Sequence, residues 1–213
     1  MTLTITAMAA EPYEHRGILH SEMALIIHTC RRLGVEVFIE SGRARGQSTT
    51  MLAKYLPDAE IHSIDARPHH PDEAFARERL KGFGNVSLYV GDGAQALPAL
   101  VKQSAPRRTA VLCDGPKGIA AVGILEKCLR HGHVVAGFIH DMRRLDHGKP
   151  SPFRAAALAV FPDAQFSDDL DLIAQYAWMD ARVVEAGGPC GPQHEAEFGS
   201  YGPTVGVFVN PQI

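Results

Sequence analysis

The sequence predicts a doubly wound α/β fold: a mostly parallel, seven-stranded sheet with helices on both faces. Three observations predict it. Short apolar runs alternate with amphipathic, helix-length segments as far as residue 141. Those runs are mostly apolar, as strands covered on both faces of a parallel sheet are. Each of the first five ends at or beside an acid: Glu40, Asp65, Asp92, Asp114 and Asp141.

The elements follow in order. "SEMALIIHTCRRLG" sets Met23, Ile26, Ile27, Cys30 and Leu33 on one helical face, with Ser21 as its cap and Gly34 as its stop. "VEVFIE" is the first strand and "QSTTMLAKYL" the next helix. "EIHSID" is the second strand, followed by a helix over "PDEAFARERLKGFG" with proline and acids at its start. "NVSLYVGD" is the third strand, and "AQALPALVKQ" is helical despite Pro98. "RTAVLCD" is the fourth strand. "GIAAVGILEKCLRHG" is a helix with Ile119, Val122, Leu125 and Leu129 inward, and "HVVAGFIHD" is the fifth strand. Beyond residue 150, "SPFRAAALAVF" reads as helix, and "AQFSDD" and "PTVGVFVN" supply the last two strands. Residues 185–203, rich in Gly and Pro, read as a loop. Residues 1–213 form one domain, with 1–20 as an N-terminal extension.

Composition narrows the function classes. A hydrophobic content of 46% supports a real core, and no apolar run is long enough to span a membrane. The net charge of -3, with a single tryptophan, argues against a nucleic-acid partner. Four scattered cysteines without a CxxC pair favour reduced thiols, hence a cytoplasmic location. The expected partner is a small-molecule acceptor. A homodimer is compatible with the sequence, which does not fix the oligomeric state.

In open α/β sheets, ligands bind beyond the carboxyl ends of the strands, where the five acids fall. The loop "ESGRARGQS" joins the first strand to a helix N-terminus, and Gly42 and Gly46 permit close approach by a ligand. A dinucleotide fingerprint would need glycines where Ala44 and Gln47 stand. A carboxylate directly before the loop repels a diphosphate and suits a cationic ligand.

E-x-G-x-A-x-G, an acid 25 residues after Glu40 (Asp65), and then "GDG" together resemble the class I S-adenosylmethionine-dependent methyltransferases, over about residues 20–145. That resemblance implies a Rossmann-like fold and S-adenosylmethionine as cofactor. Glu40, Gly42, Ala44, Gly46 and Ser48 would pack on its methionine part, Asp65 would bind the ribose hydroxyls and Asp92 the adenine amine, with Asp114 beside them. The bulky Arg43 and Arg45 would point to solvent.

"CDGPKG" and "FIHDM" resemble the metal-dependent small-molecule O-methyltransferases of the catechol O-methyltransferase type, and the His-Asp ending is also similar to the sugar O-methyltransferases and cephalosporin hydroxylases. The resemblance implies that Asp114, His140 and Asp141 hold Mg2+ or another divalent cation, with Lys117 or His140 as the base. A bound cation lowers the pKa of a hydroxyl and orients it. The plainer reading makes Asp114 a turn residue and Lys117 a solvated one. "RPHHP" reads as a polar loop. "RRLDHGKP" reads as a solvated loop, with Arg143 and Arg144 available to gate the substrate or bind an acidic group. Tyr201 is a candidate to line the acceptor pocket. The function expected is O-methylation of a small hydroxylated metabolite or sugar. The alternatives are a methyltransferase-like binding protein without turnover and a nicotinamide-dependent oxidoreductase.

Overall fold

A computed structural model describes residues 2–15 and 17–211, the side chains of residues 2–4 excepted. The chain runs α1 (Thr2–Ala9), α2 (His20–Arg32), β1 (Val37–Ser41), α3 (Gln47–Tyr55), β2 (Glu60–Asp65), α4 (Pro71–Leu80), β3 (Val86–Val90), α5 (Gly93–Ser104), β4 (Thr109–Cys113), α6 (Ile119–Leu129) and β5 (Val134–Ile139). A two-residue hairpin follows, β6 (Leu145–Asp146) with β7 (Lys149–Pro150). Then come α7 (Pro152–Val160), β8 (Gln165–Phe166), α8 (Leu170–Tyr176), a 3-10 turn (Ala177–Asp180), α9 (Ala181–Glu185), α10 (Pro192–Phe198) and β9 (Gly206–Val209).

Seven strands form one sheet in the order β3-β2-β1-β4-β5-β9-β8. The first five are mutually parallel, and β9 runs antiparallel between β5 and β8. The expected doubly wound, mostly parallel sheet is therefore present. The order reverses between β1 and β4, so the cleft at their carboxyl ends is the place where ligands bind in such sheets.

Alternation within β1 explains the two layers. Phe38 packs with Met23, Ile26, Leu52 and Phe138 on the α2/α3 face. Val37 and Ile39 pack with Leu97, Val101, Val111 and Leu125 on the α5/α6 face. All five residues of β1, β4 and all six of β5 are buried, as a covered parallel sheet requires.

Several local expectations change. Ser21 does not cap α2. The cap is Leu19, whose N–H donates to Glu22 at 3.1 Å. Ile119 is 59% exposed at the first position of α6, because the inward face begins at Ala121 and Val122. The stretch 185–203 is not simply loop. It holds α10, with Pro192 in its first turn and Gly199 in the left-handed conformation at its end (φ 65°), the pairing of residues that starts and stops helices. Among the described residues, no helix is long and apolar enough to cross a membrane, and the four cysteines are free and buried.

Candidate functional site

Glu40 does not stand at the tip of β1. The strand continues to Ser41, and Glu40 is fully buried inside it. Its Oε1 accepts from the Ser48 hydroxyl, and its Oε2 accepts from Thr49 and, at 2.8 Å, from Ser63. Burial pushes its carboxyl pKa up, and the three hydroxyls only partly offset this. Glu40 thus ties β1, β2 and the first turn of α3 together beneath the glycine loop, and Ser48 is one of its anchors.

The loop itself is tightly specified. Gly42 has φ 104°, and a Cβ there would lie 2.7 Å from the Asp114 carbonyl carbon. Ala44 takes a left-handed φ of 46°, and its N–H donates to Asp65 Oδ2 at 2.8 Å, an interaction that holds this non-glycine residue in place. Gly46, at φ 80°, caps α3. Burial would raise the Asp65 carboxyl, but hydrogen bonds from Arg67 and from the Ala44 N–H hold it below its ordinary range. Arg67 Nε sits 3.2 Å from Asp65 Oδ1, so both carboxylate oxygens already have donors from the chain. Asp92 is exposed and caps α5, accepting from the Ala94 N–H at 2.9 Å.

Arg43 departs from expectation. It is buried, and it donates to Glu73 and, at 2.6 Å, to the Ser63 carbonyl. Loop and β2 are thereby joined to α4. Arg45 is the more exposed of the two and lies over Phe75, 3.9 Å from the ring centroid. Gly42, Ala44, Gln47 and Ser48 line a cavity of about 70 Å³ that also touches Asp114.

Asp114, Lys117, His140 and Asp141 meet at the ends of β4 and β5. Lys117 Nζ donates to Asp114 and, at 2.5 Å, to Asp141 Oδ2. His140 Nδ1 lies 2.9 Å from Asp114 Oδ1, and its Nε2 lies 3.3 Å from Glu22 Oε2. Burial alone would lower the His140 pKa, but Asp114 and Glu22 outweigh it and hold the ring well above its ordinary value, as imidazolium. Desolvation likewise opposes charge on Lys117, yet Asp114 and Asp141 raise its pKa. Asp141, in the left-handed conformation at φ 63°, is held low against burial by His140 and Lys117 and, to a smaller extent, by Arg143.

One ligand atom each from Asp114, His140 and Asp141 lie within 4.8 Å of one another. A hard cation would want those carboxylate oxygens. The ammonium of Lys117 already bridges them, and both nitrogens of His140 face carboxylates. As arranged, the ammonium of Lys117 lies between the two carboxylates.

The sequence reading missed Glu22, which accepts from the Thr204 N–H at 2.7 Å as well as facing Leu19 and His140. Its signal is a lone acid inside an apolar helix. Also missed was His194 on α10, whereas Phe198 lies in "EFGSYGP", a stretch the sequence offered as closing over the acceptor; the two are on one helix. With Lys117, His140, Asp141 and Arg143 they line a second cavity of about 380 Å³, which adjoins the glycine loop through Asp114. Tyr201 is not among its lining residues, and its hydroxyl donates to the Ala177 carbonyl at 3.0 Å. His70 caps α4 by accepting from the Asp72 N–H. A larger cavity of about 670 Å³, bordered by Leu25, Phe161, Tyr176 and Val209, includes none of these site residues.

No family model matches the chain. A 76-residue stretch is 32% identical to the protein-L-isoaspartate O-methyltransferase of Roseiflexus castenholzii, covering 36% of this chain and 34% of that one. The chain thus matches about a third of the length of that curated relative. Among solved structures, the O-methyltransferase from Bacillus cereus in complex with SAH superposes with a TM-score of 0.58, at 14% identity, over 98% of this chain and 89% of that one. The O-methyltransferase TomG from Streptomyces achromogenes, in complex with SAM, gives a TM-score of 0.54 at 16% identity over 97% and 89% of the two chains.

Proposed function

We propose that this chain, which has the fold of the class I S-adenosylmethionine-dependent O-methyltransferases it resembles, is itself such an enzyme and methylates a hydroxyl of a small molecule. The observation that carries this reading is the adjacency of two sites at one sheet edge. The left-handed Gly42–Ala44–Gly46 loop, fixed by Glu40 and Asp65, borders the same Asp114 that faces Lys117 and His140.

In this reading the loop and Ser48 receive the methionine end of the cofactor, and Asp65 and Asp92 receive its nucleoside. Acceptors outnumber basic groups there, as a sulfonium ligand without phosphate requires. The acceptor hydroxyl lies in the 380 Å³ cavity beside Lys117. Its oxygen attacks the methyl carbon in line, the carbon–sulfur bond breaks with its electron pair going to sulfur, and the hydroxyl proton is lost to water. Lys117, held as ammonium, favours loss of that proton by stabilising the oxyanion before it attacks, in place of a base or a metal ion, and the negative charge is consumed as the carbon–oxygen bond forms. His140 fixes Asp114 and is a positioning residue. The divalent cation expected at Asp114, His140 and Asp141 would have to displace Lys117 and take a proton from His140, so we assign the positive charge at this point to the lysine.

Calorimetric titration with S-adenosylhomocysteine tests the reading. Saturable one-site binding, with none for nicotinamide dinucleotides, is expected. Absence of S-adenosylhomocysteine binding would remove the proposal, and binding without transfer to any of a broad panel of hydroxylated acceptors would favour a binding protein.

A further inference from the structure

We propose that the methyl acceptor carries a carboxylate, and that Arg143 is the residue that binds it; this rests on the methyltransferase reading above. Two adjacent arginines follow β5, and the structure separates their roles. Arg144 is committed to the fold: its Nε lies 3.2 Å from Asp168 Oδ2 and its Nη2 donates to the Asp168 carbonyl at 2.9 Å. Asp168 is buried and also accepts from Arg154 and Ser200. Arg143 is different. It lines the acceptor cavity with Lys117, Asp141, His194 and Phe198. Among the described residues it makes no ion pair, and its guanidinium lies over the Phe198 ring, 4.3 Å from the centroid. The nearby carboxylate of Asp141 is already taken by Lys117 at 2.5 Å.

A guanidinium over an aromatic face keeps its N–H edge free, and that planar fork matches a carboxylate bidentately. The cavity therefore presents two separate positive groups. Lys117 faces the reacting oxygen between two acids, and Arg143 feels the charge of Asp141 without forming an ion pair with it. A phosphate fits less well, because Asp114 and Asp141 line the same cavity and would repel a dianion that one arginine cannot neutralise. A volume of about 380 Å³ suits a single-ring or short-chain hydroxy acid.

The test uses the full chain saturated with S-adenosylhomocysteine and three probes: 4-hydroxybenzoate, the near-isosteric neutral 4-hydroxybenzamide, and 4-hydroxyphenyl phosphate. The benzoate should bind about tenfold or more tighter than the amide. Arg143→Gln should abolish that preference, and Arg143→Lys should keep part of it. The S-adenosylhomocysteine isotherm of Arg143→Gln, expected to match the parent, reports that the variant is folded. Equal binding of acid and amide, no saturable binding of either, a preference that survives Arg143→Gln, or tighter binding of the phosphate would each overturn the inference. Failure of S-adenosylhomocysteine to bind would instead remove the methyltransferase reading, so the two failures are distinguishable.

Discussion

Lys117 Nζ lies 2.5 Å from Asp141 Oδ2 while also donating to Asp114, so one ammonium joins the ends of β4 and β5. Replacing it with a neutral side chain leaves His140 as the nearest counter-charge of Asp114 and Asp141. Lys117→Met is expected to lower kcat about a hundredfold with little change in S-adenosylhomocysteine affinity, since Lys117 does not line the cavity at the glycine loop. Steady-state kinetics and calorimetry check both parts. A kcat within threefold of the parent would sink the oxyanion role.

The same bridge predicts independence from divalent metals. Activity should survive exhaustive dialysis against a chelator, and added Mg2+ should not raise it. Loss on chelation with recovery on Mg2+ would restore the cation reading of Asp114, His140 and Asp141.

Gly42 has no room for a side chain. Its φ of 104° and the 2.7 Å approach of a built Cβ to the Asp114 backbone mean that Gly42→Ala must move either the loop or the end of β4. The expected cost is about 2 kcal/mol or more, from strained backbone and steric displacement. Weaker S-adenosylhomocysteine binding should accompany it. Chemical denaturation measures the first effect and calorimetry the second.

Glu40 accepts from three hydroxyls on two elements. Glu40→Ala leaves Ser48, Thr49 and Ser63 facing a buried void, and should cost about 2–3 kcal/mol. Glu40→Gln, which keeps the volume, should cost less. Both should weaken cofactor binding, because the start of α3 loses its tie to β1. Unchanged binding in Glu40→Ala would show that the loop holds itself.

Asp180 gives a pH signature away from the cleft. It is fully buried, and burial pushes its carboxyl pKa up to about 7 from an ordinary 3.8, with one oxygen lacking a partner. Between about pH 4 and 7 the folded state keeps this proton and the unfolded chain releases it. Stability therefore falls as pH rises through that window, by at most about 1.4 kcal/mol per unit. Asp180→Asn should flatten the fall and raise the melting temperature at pH 8. A parallel pH profile in the variant would contradict the assignment.

By itself, the sequence determined the sheet. Covered parallel strands are mostly apolar on both faces, so β4, β5 and the start of β1 announce themselves as apolar runs, and the helix periods between them fix the winding. It also determined which backbone needs glycine: Gly42 and Gly46 are legible because their conformations forbid ordinary side chains. It determined the cluster at Asp114, Lys117, His140 and Asp141 only as a set of candidates, because short spacing places side chains at one edge without saying which atoms meet.

Tertiary structure decided what each charged group does. Arg43 and Arg45 are equivalent in the sequence, yet one is buried against Glu73 and the other stands largely in solvent. Arg143 and Arg144 are adjacent, yet only Arg144 finds the buried Asp168. Glu22, 118 residues from His140, joins Asp114 in raising that ring's pKa. Charge state and accessibility depend on long-range partners and on local desolvation, and neither is a property of the neighbouring residues in the chain.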